Sequence, residues 1–569
     1  MKWIYRKPAD MDAGLRRELK DRLHLPDFMI QAFANRGINS PESAVEIFSI
    51  DSAPLNSPYL FEDMKKAVDR IDAAVNKGEK IVIYGDYDVD GVTSIVELYL
   101  FFREHLKYGK IEYYIPHRQD EGYGLNIEAL TQIISGGAGL IITVDCGISA
   151  KKEVDFCSLK GIDVIITDHH LPEEGSTPEK ALAIINPKLS KTYPDRELSG
   201  AGVAYKLICA LADRFKADIK DDYLEFAALG TIADIVPLSR ENRIIARRGF
   251  KKIDSTKNAG LLSLKSVSGI KPGTTVSTFH VGFILGPRIN AAGRLEHAKK
   301  AVELFISGVR EETDRIAGEL DGVNEERKAL MNRTQEEALK KADGGFNPEN
   351  DFVIVLYDPA WNAGILGLVA SKIQKKFCRP SFILSKGDDG FVHGSARSVP
   401  AVNIFEAIKS AHIWLERYGG HKMAAGITLK EENIEKFREA VNSYLKQNMK
   451  EADFEAVITI DCPITEAVTI KDIKAFDMLQ PWGESNPKPV FSMAGIEIRD
   501  VKLMKSNTMK FYASCGGKFY NFILFGYKEG DVSRVRPGVF IEAAFFPSIN
   551  TWRDEESLIF TVEDYKIME

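Results

Sequence analysis

Three stretches of the sequence end in side chains that commonly hold metal ions. Each begins with an apolar, β-branched run and ends in one of the clusters Asp86-Tyr-Asp88-Val-Asp90-Gly91, Asp145-Cys146-Gly147 and Asp168-His169-His170. Carboxylate oxygens mixed with imidazole nitrogens suit Mn²⁺ or Mg²⁺ better than they suit a structural thiolate metal. Because three carboxylates in one short loop repel each other, they are costly to hold together without a cation. The three clusters therefore predict a divalent metal site.

The apolar runs predict the strands that position these clusters. Short, continuous apolar runs are typical of buried parallel strands, and they cover residues 81–84, 140–144, 164–167 and 183–185. Helix-compatible stretches lie between them, at 93–106, 127–135 and 151–160. Strands that alternate with helices predict a doubly wound α/β layer with a parallel sheet. Since ligands bind outside the carboxyl ends of such strands, the five aspartates and two histidines should converge there.

A fourth acidic position lies outside the predicted strands. Asp234 is embedded in the apolar segment Gly230-Thr-Ile-Ala-Asp-Ile-Val-Pro237. An unpaired acid in apolar surroundings is expensive. Asp234 is therefore a further candidate metal ligand.

One competing interpretation of the first cluster is a calcium-binding helix-loop-helix. Asp86, Asp88, Asp90, Gly91 and Glu97 match the pattern D-x-D-x-D-G-x₅-E. That motif needs a helix on both sides, whereas a β-branched run precedes this loop. The pattern also occurs once, beside two further acidic clusters, so the sequence favours the sheet-edge site.

Length, charge and cysteine usage narrow the class of protein. At roughly 100–200 residues per domain, 569 residues predict about three to four domains. The six cysteines are scattered without a CxxC pair, which argues against a disulfide framework and a structural zinc site. The net charge of −7 gives no bulk support for nucleic-acid binding. An anionic substrate must therefore meet a metal or a local positive site.

Targeting signals are absent from the sequence pattern. The first dozen residues contain no apolar stretch long enough for a signal peptide, and no run approaches the ~18 apolar residues of a membrane span. We therefore expect a cytoplasmic protein with no membrane partner.

Shifts in pattern along the chain predict five regions. Apolar residues recur at three or four residues through a proline-free stretch after residue 298, which predicts long linking helices. Short alternating runs after residue 456 predict a small β-barrel. The predicted regions are a helical segment (1–75), an α/β catalytic domain (76–297), linking helices (298–345), a smaller α/β domain (346–455) and the barrel (456–569).

Together with the segment around Asp234, the three clusters resemble the DHH superfamily of two-metal phosphoesterases. Their order and spacing are similar to the RecJ family of single-strand-specific 5′ to 3′ DNA exonucleases. The resemblance covers residues of about 60–430, through Pro116-His-Arg118, Glu121-Gly-Tyr-Gly-Leu125, Gly286-Pro-Arg-Ile-Asn-Ala-Ala-Gly-Arg294, Gly394-Ser-Ala-Arg397, Gly419-Gly-His421 and Ala424-Ala-Gly426. The later motifs resemble a DHHA1 domain. The tail resembles an oligonucleotide-binding (OB) barrel more weakly, through Pro481-Trp-Gly-Glu484, Asn486-Pro-Lys-Pro489 and Asn550-Thr-Trp-Arg553.

The resemblance implies roles for the acidic and histidine residues. It implies two metal ions, Mn²⁺ or Mg²⁺, with Asp145 as the bridging ligand. The implied ligands are Asp86, Asp88, Asp90, Asp145, His169 and Asp234. Asp168 and His170 would support the catalysis from behind the ligands or from the substrate side.

The positive side of the site is expected from arginines in glycine-rich contexts. Guanidinium groups can approach phosphate oxygens there because neighbouring side chains are absent. The predicted substrate-binding residues, which include some implied by the resemblance alone, are Arg118, Tyr123, Arg288, Asn290, Arg294, Ser395, Arg397 and His421. Tyr123 would stack on a base, as aromatic residues of the barrel would.

The resemblance implies an exonuclease that degrades single-stranded DNA from its 5′ end to 5′-mononucleotides in recombination and repair. It also implies a monomer that works with a single-strand-binding protein and a RecQ-type helicase. Two alternatives stay open. One is a small-substrate phosphodiesterase or pyrophosphatase of the same superfamily, which would not need the barrel. The other is a non-catalytic replication or repair scaffold, against which the complete ligand set argues.

Overall fold

The computed structural model describes residues 1–117, 121–122, 124–295, 298–505, 507–552 and 555–568, without the side chains of residues 294, 295 and 552. The chain divides into two compact units. The larger unit contains the described residues of 3–289, 298–317 and 458–569, and the smaller contains those of 1–2, 290–297 and 318–457. No helix of the described residues has the length and apolar character that a membrane crossing requires.

The chain begins with a short strand and three helices: β1 (Lys2–Tyr5), α1 (Ala13–Asp21), α2 (Asp27–Asn35) and α3 (Pro41–Phe48). Side chains in front of two of these helices satisfy the exposed amides of the first turn. The Asp12 carboxylate accepts from the Leu15 amide before α1, and the Ser40 hydroxyl accepts from the Ser43 amide before α3. The predicted helical segment thus has clear helix starts.

A five-stranded parallel sheet forms the centre of the larger unit. Its elements are α4 (Met64–Lys77), β2 (Lys80–Gly85), α5 (Val89–Glu104), β3 (Ile111–Tyr114), α6 (Ile127–Ser135), β4 (Ala138–Val144), α7 (Lys151–Leu159), β5 (Asp163–Thr167) and β6 (Ala183–Ile185). The strand order is β3-β2-β4-β5-β6, and every pair is parallel. The order reverses between β2 and β4, the place where open α/β sheets bind ligands. The predicted α/β layer is confirmed.

Helices cover this sheet and continue beyond it: α8 (Gly200–Phe215), α9 (Leu224–Ala233), α10 (Arg240–Asp254), α11 (Ala259–Val267), a π-helical turn (His280–Leu285) and α12 (Gly286–Leu295). Most residues of α8 and α9 are buried, consistent with their apolar sequences. The calcium-hand alternative is wrong, because strand β2 precedes the Asp86 loop and only helix α5 follows it.

Two helices fill the predicted linking region, α13 (Lys299–Ile306) and α14 (Arg310–Gly345). The smaller unit then contains β7 (Ile354–Tyr357), α15 (Leu366–Phe377), β8 (Ser381–Lys386), β9 (Val392–Arg397), α16 (Ile404–Ser410), β10 (Arg417–Gly420), β11 (Ala424–Leu429) and α17 (Ile434–Asn448). Its strands form one sheet in the order β10-β11-β9-β8-β7, in which only β7 and β8 run parallel. The predicted second α/β domain is confirmed.

The C-terminal elements form the predicted barrel: β12 (Val457–Ile460), β13 (Cys462–Pro463), α18 (Ile470–Ala475), β14 (Phe491–Met504), β15 (Thr508–Cys515), β16 (Lys518–Phe525), α19 (Glu529–Arg534), β17 (Phe540–Trp552) and β18 (Glu555–Ile567). Strands β14, β15, β16, β18 and β17 pair in that order, and β17 returns to pair with β14. The ring has no open edge between these strands. Short 3₁₀ turns complete the chain at Pro58–Leu60, Ala363–Ile365, His412–Trp414, Glu431–Asn433, Glu451–Phe454 and Phe476–Leu479.

The N-terminal helices share one hydrophobic core with the barrel. Phe28 of α2 meets Phe491 of β14 edge to face at 5.6 Å between ring centroids, and Phe33 meets Phe476 at 6.0 Å. Such aromatic pairs add about 0.5–1.5 kcal/mol to the free energy gained from burial. The first helices therefore support the barrel from more than 400 residues away in sequence.

Close packing at Gly230 of α9 generates the first prediction. A Cβ atom there would lie 2.3 Å from Oδ1 of Asp90 and 2.7 Å from the Ala201 Cβ. Gly230→Ala should therefore displace Asp90 and destabilise the unit by about 1–3 kcal/mol, the usual cost of overpacking. A lowered thermal unfolding midpoint measures the effect. The matched control is Gly530→Ala in α19, where a Cβ meets open space; equal midpoints for the two variants would contradict the packing described here.

Candidate metal centre

The loop after β2 presents three aspartates from a tightly packed turn. Asp88 caps helix α5, because its Oδ1 accepts the Gly91 amide at 3.0 Å. A Cβ on Gly91 would lie 2.5 Å from the Asp86 carbonyl oxygen, so only glycine allows this approach. Asp86 and Asp90 are buried, and Asp88 is half-buried. The acidic loop is thus a fixed part of the strand-to-helix turn.

Asp145 lies at the carboxyl end of β4, beside this loop. Its backbone is left-handed at a φ of 58°, a strained conformation for a residue with a side chain. The Asp145 amide donates to the Thr167 carbonyl at 3.0 Å, which ties the residue to strand β5. One oxygen each of Asp86, Asp88 and Asp145 lies within 4.8 Å of the others. Asp145 therefore joins the acidic loop to the next cluster.

Asp168 and the two histidines follow β5 and have different tasks. The buried Asp168 carboxylate accepts the amides of Ile148 at 2.9 Å, His169 at 2.7 Å and His170 at 3.0 Å. It also bonds to the His170 ring at Nδ1, at 2.8 Å. Asp168 is thus occupied with holding the loop and orienting His170.

Three carboxylates surround the His169 ring. Its Nε2 lies 3.2 Å from Oδ1 of Asp145, 3.6 Å from Oδ2 of Asp234 and 3.8 Å from Oδ2 of Asp90. This nitrogen is buried and makes no hydrogen bond in the described part of the chain. A nitrogen donor among carboxylate oxygens, with no proton partner of its own, is the environment of a metal ligand.

Helix starts and ends bring Asp90 and Asp234 to the same place. The Asp90 carboxylate accepts the amides of Gly200 at 2.6 Å and Ala201 at 2.9 Å, at the positive end of α8. Asp234 is the C-cap residue that directly follows α9. Single ligand atoms of Asp90, His169 and Asp234 form a second group within 4.8 Å, and those of Asp145, His169 and His170 form a third.

Burial and mutual repulsion hold the carboxyl groups partly protonated when no cation is present. Burial and the nearby Asp88 raise the pKa of Asp90 to about 7. Burial and Asp90 raise the pKa of Asp234 to about 8, and burial with the same neighbours raises the pKa of Asp145 well above its usual range. In each case burial disfavours the charged form of the carboxyl group, and repulsion from neighbouring carboxylates adds to the shift.

The pKa values of the two histidines shift in opposite directions. Burial and the neighbouring His170 lower the pKa of His169 to about 3, so that its ring is neutral and able to bind a metal. Burial opposes the charge of His170 as well, but the hydrogen bond to Asp168 outweighs it and raises the pKa of His170 to about 9. His170 therefore carries a proton at neutral pH.

The residues fit divalent ions with oxygen and nitrogen preference. The group of Asp145, His169 and His170 shares Asp145 with the group of the acidic loop and His169 with the group of Asp90 and Asp234. Carboxylates and one neutral imidazole suit Mn²⁺ or Mg²⁺, and no cysteine of the described chain belongs to these groups. The geometry is consistent with the six ligands implied by the resemblance.

The predicted substrate residues fall into separate parts of the chain. Arg118 and Tyr123 lie outside the described residues, as does the Arg294 side chain. Arg288 and Asn290 lie on α12, and the buried Arg288 donates to the Ile284 carbonyl at 2.7 Å. The described structure therefore leaves the roles of these residues as predictions.

Ser395, Arg397 and His421 lie on the sheet of the smaller unit. Ser395 of β9 is paired with Gly426 of β11, so the glycine-rich motifs run side by side, and His421 follows β10 directly. Arg397 donates to the Ala396 carbonyl at 2.8 Å and to the Ser395 hydroxyl at 3.4 Å. Burial lowers the pKa of Arg397, and it forms no ion pair with a described carboxylate. A half-buried guanidinium without a carboxylate partner is suited to an anion.

Other residues around the site were not predicted from the sequence. Asn186 is buried and donates to the His170 carbonyl at 2.8 Å, which holds the His170 loop. The amides of Gly200 and Ala201 bind Asp90 through the backbone, which residue types alone do not reveal. The available signal for Asn186 was its place directly after β6, at the same sheet edge as the other clusters.

Comparisons with known proteins agree with this geometry. The DHH family N-terminal domain matches residues 80–231, the DHHA1 domain matches 350–447 and the RecJ OB domain matches 460–564. The chain is 36% identical to the single-stranded-DNA-specific exonuclease RecJ of Bacillus subtilis, covering all of this chain and 71% of that protein. The chain belongs to the RecJ family. The RecJ resemblance seen in the sequence is thereby confirmed.

Solved RecJ structures extend the match to the fold and the metals. The crystal structure of Thermus thermophilus RecJ with Mn²⁺ covers all of this chain and 80% of its own, with a TM-score of 0.83 and 27% identity. The corresponding Mg²⁺ complex gives a TM-score of 0.79 at 26% identity and covers 79% of its own chain. The expectation of Mn²⁺ or Mg²⁺ is confirmed by these RecJ structures and the ligand groups of this chain.

The raised pKa values predict that metal binding releases protons. Because Asp90 with a pKa of about 7 and Asp234 with a pKa of about 8 are partly protonated at neutral pH, a cation must displace those protons. His169 has none to give, since its pKa is about 3. Mn²⁺ titrated calorimetrically in buffers of different ionisation enthalpy should show net proton release at about pH 7, and affinity rising to about pH 9.

The control for this titration is Asp69→Asn, which removes an exposed carboxylate on α4. It should leave the release unchanged, whereas Asp234→Asn should reduce it. Binding without proton exchange at neutral pH would contradict the repulsion between the buried carboxyl groups.

Proposed function

We propose that this chain is a metal-dependent exonuclease that degrades single-stranded DNA from its 5′ end and releases 5′-mononucleotides. The observation that carries the proposal is the ligand cluster around His169 Nε2, at the carboxyl edge of a RecJ-type sheet. Activity on single-stranded DNA is what the curated RecJ relatives are named for. The barrel favours this substrate over a small phosphodiester.

The residues at the carboxyl edge of the sheet have separate roles in hydrolysis, and most of them are metal ligands. Asp86, Asp88, Asp90, Asp145, His169 and Asp234 would hold the ions, and Asp145 contributes to two of the three ligand groups. Divalent ions bound there would activate water and stabilise the negative charge that develops during an in-line displacement at phosphorus. No nucleophilic side chain is required.

His170 is placed to move a proton in this reaction. Water adds to phosphorus, the bond to the 3′ oxygen of the terminal nucleotide breaks, and that oxygen must gain a proton. His170 is protonated at neutral pH, and its Nδ1 is bound by Asp168. The other ring nitrogen would then serve the substrate side, with Asp168 orienting the ring.

Phosphate contacts would come from the predicted arginines, with Arg397 the best supported. Its half-buried guanidinium lies beside Ser395 and lacks an ion pair with any carboxylate of the described chain. A Cβ on Gly367 would lie 2.9 Å from Nη2 of Arg397, so the glycine leaves the room that this guanidinium needs. A charge-assisted contact to a terminal phosphate is worth about 1.5–3 kcal/mol.

The barrel presents aromatic rings to solvent as well as to its core. Phe511, Tyr520 and Phe522 are buried in the core. Tyr512 and Phe519 lie on the outer face, 41% and 55% exposed, and their rings stack at 5.4 Å with planes 8° apart. Exposed stacked rings next to Lys518 are suited to unpaired bases and their phosphates.

A protein partner for this enzyme remains a prediction. The resemblance implies a single-strand-binding protein and a RecQ-type helicase, a monomeric enzyme and a cytoplasmic location. With a net charge of −7, the protein as a whole does not attract DNA. A partner that delivers the single strand would compensate for this.

The direction of degradation along the strand distinguishes this function from that of a small-substrate relative. On single strands with Mn²⁺ or Mg²⁺, label at the 5′ end should be released first and as a mononucleotide. Arg397→Ala should lower kcat/KM by about ten- to hundredfold on a 5′-phosphorylated strand, and by less on a strand without that phosphate. Arg417→Ala, which removes an exposed arginine from the same sheet, is the control. Release from the 3′ end first would contradict the proposal.

If the exposed rings of Tyr512 and Phe519 bind the strand, their removal should lower the affinity for single-stranded DNA without slowing the hydrolysis step. Replacing both Tyr512 and Phe519 by alanine should weaken single-strand binding about tenfold or more, since stacking contributes about 1–3 kcal/mol per base. kcat on saturating short oligonucleotides should change little. Fluorescence anisotropy and initial rates measure the two quantities, and Phe540→Ala at another exposed ring is the control. Unchanged affinity in the double variant would remove the barrel from the binding surface.

A further inference from the structure

Two helices bring Asp90 and Asp234 to the metal centre, α8 through its first amides and α9 through its end. The amides of Gly200 and Ala201 bind the Asp90 carboxylate, and Asp234 directly follows α9. The distance between these two carboxylates therefore depends on how the start of α8 is held against the end of α9. Two buried polar contacts join these helix ends.

A buried pair of hydroxyl groups makes the first contact. Ser199 is the N-cap of α8, and its Oγ accepts the Gly202 amide at 3.0 Å. The same Oγ shares a hydrogen bond with Oγ1 of Thr231 on α9, at 2.9 Å. Both side chains are fully buried, so this hydrogen bond forms away from competing water. It joins the residue just before α8 to a residue three positions before Asp234.

Asn242 makes the second contact from helix α10. Its side chain is fully buried, and its Nδ2 donates to the carbonyl of Glu197 and, at 3.1 Å, to that of Pro237. Glu197 lies three residues before the start of α8, and Pro237 lies three residues after Asp234. One amide group therefore joins the segment that leads into α8 to the segment that leaves α9.

The orientation of this amide is fixed by its partners. Both groups that it contacts are carbonyl oxygens, which can only accept, so the nitrogen must face them. Oδ1 of Asn242 is left buried without a hydrogen-bond partner in the described part of the chain. A buried oxygen of this kind carries a cost. An apolar side chain of similar size would avoid that cost but would lose both donated hydrogen bonds.

Helix α10 is held firmly against both segments. A Cβ on Gly249 would lie 2.3 Å from the Ala228 Cβ, so α10 packs directly on α9. The buried Asp195 carboxylate accepts the Glu241 amide of α10 at 3.0 Å and the Glu197 amide at 3.1 Å. These contacts keep the start of α10 beside the segment that leads into α8.

We propose that Asn242 and Thr231 are positioning residues of the metal centre, which set the separation of the Asp90 and Asp234 carboxylates and so the affinity for an ion bound by both. The two carboxylates repel each other when no ion is present. Without the two contacts the helix ends would relax apart, and an ion would have to draw them together again at the expense of its own binding. The inference rests on the metal ligands of the proposed function and not on the direction of degradation.

Replacements at Thr231 separate its hydrogen bond from its packing. Thr231→Val keeps the branched shape and removes the hydroxyl, whereas Thr231→Ser keeps the hydroxyl and removes a methyl group. Thr231→Val should weaken the binding of one Mn²⁺ ion about fivefold or more. Thr231→Ser should bind Mn²⁺ as the unmodified chain does, even though the lost methyl group lowers its thermal unfolding midpoint. Titration of the full chain, followed by electron paramagnetic resonance of free Mn²⁺, measures binding without nuclease activity.

Asn242→Asp tests the second contact in the same titration. The replacement keeps the size of the side chain but leaves at most one donor for the carbonyls of Glu197 and Pro237. The affinity for the same ion should fall about tenfold, the usual effect of removing a group that orients metal ligands. An ion held by the acidic loop and Asp145 should be affected by less than about twofold.

Matched controls remove similar groups elsewhere in the larger unit. Thr313→Val removes a buried hydroxyl that shares a hydrogen bond with Ser263 at 2.8 Å. Asn258→Asp removes an amide nitrogen that donates to the Phe305 carbonyl at 2.7 Å. Both controls should lower the thermal unfolding midpoint and leave Mn²⁺ binding unchanged.

Asp234→Asn distinguishes a failure of this inference from a failure of the ligand assignment. If Asp234→Asn leaves Mn²⁺ binding unchanged, the ligand assignment is wrong and the inference falls with it. If Asp234→Asn weakens binding while Thr231→Val and Asn242→Asp do not, the ligands stand and the positioning roles are wrong. Equal losses for both ions, equal losses in the controls, or a loss in Thr231→Ser as large as in Thr231→Val would also overturn the roles. If Asn242→Asp does not fold, the two Thr231 variants decide the outcome.

Discussion

Mutual repulsion between buried carboxyl groups is the constraint on which the rest of this structure depends. Asp90, Asp145 and Asp234 are gathered within reach of one imidazole nitrogen, where water barely reaches the first two and reaches Asp234 only in part. Their raised pKa values express that cost in the metal-free chain. A divalent cation bound there would turn the same repulsion into binding energy. The arrangement of carboxylates is thus unfavourable without a cation and favourable once a cation is bound.

The scaffold is built to keep the carboxyl groups together despite this repulsion. Gly200 and Gly230 leave room for Asp145 and Asp90, since a Cβ at either position would lie 2.5 Å or 2.3 Å from a carboxylate oxygen. The start of α8 supplies two amides to Asp90. These contacts come from neutral groups, so they position the carboxylates and leave most of the charge for the ions. Preorganisation of this kind is what distinguishes a functional cluster from acids on a surface loop.

Much of the sheet and its ligands could be predicted because the local pattern carried the information. Continuous apolar runs identified β2, β4, β5 and β6, and the residues after the first three of these strands were ligand candidates. Strand β3 was missed because Ile111–Tyr114 is a short edge strand with a glutamate in it. The contribution of α2 to the barrel core was also missed, since nothing local in Phe28 or Phe33 indicates partners so distant in sequence. The backbone contacts to Asp90 could not be predicted from residue types, because nearly any residue can supply a backbone amide.

Anomalous scattering at the manganese edge from crystals of this chain grown with Mn²⁺ tests the central claim most directly. The account predicts two peaks about 3.5–4 Å apart, with Asp145 between them and His169 bound through Nε2. Asp145→Asn crystals should lose at least one of the peaks. No peak among the clustered aspartates, or a single ion coordinated without Asp145, would contradict the account.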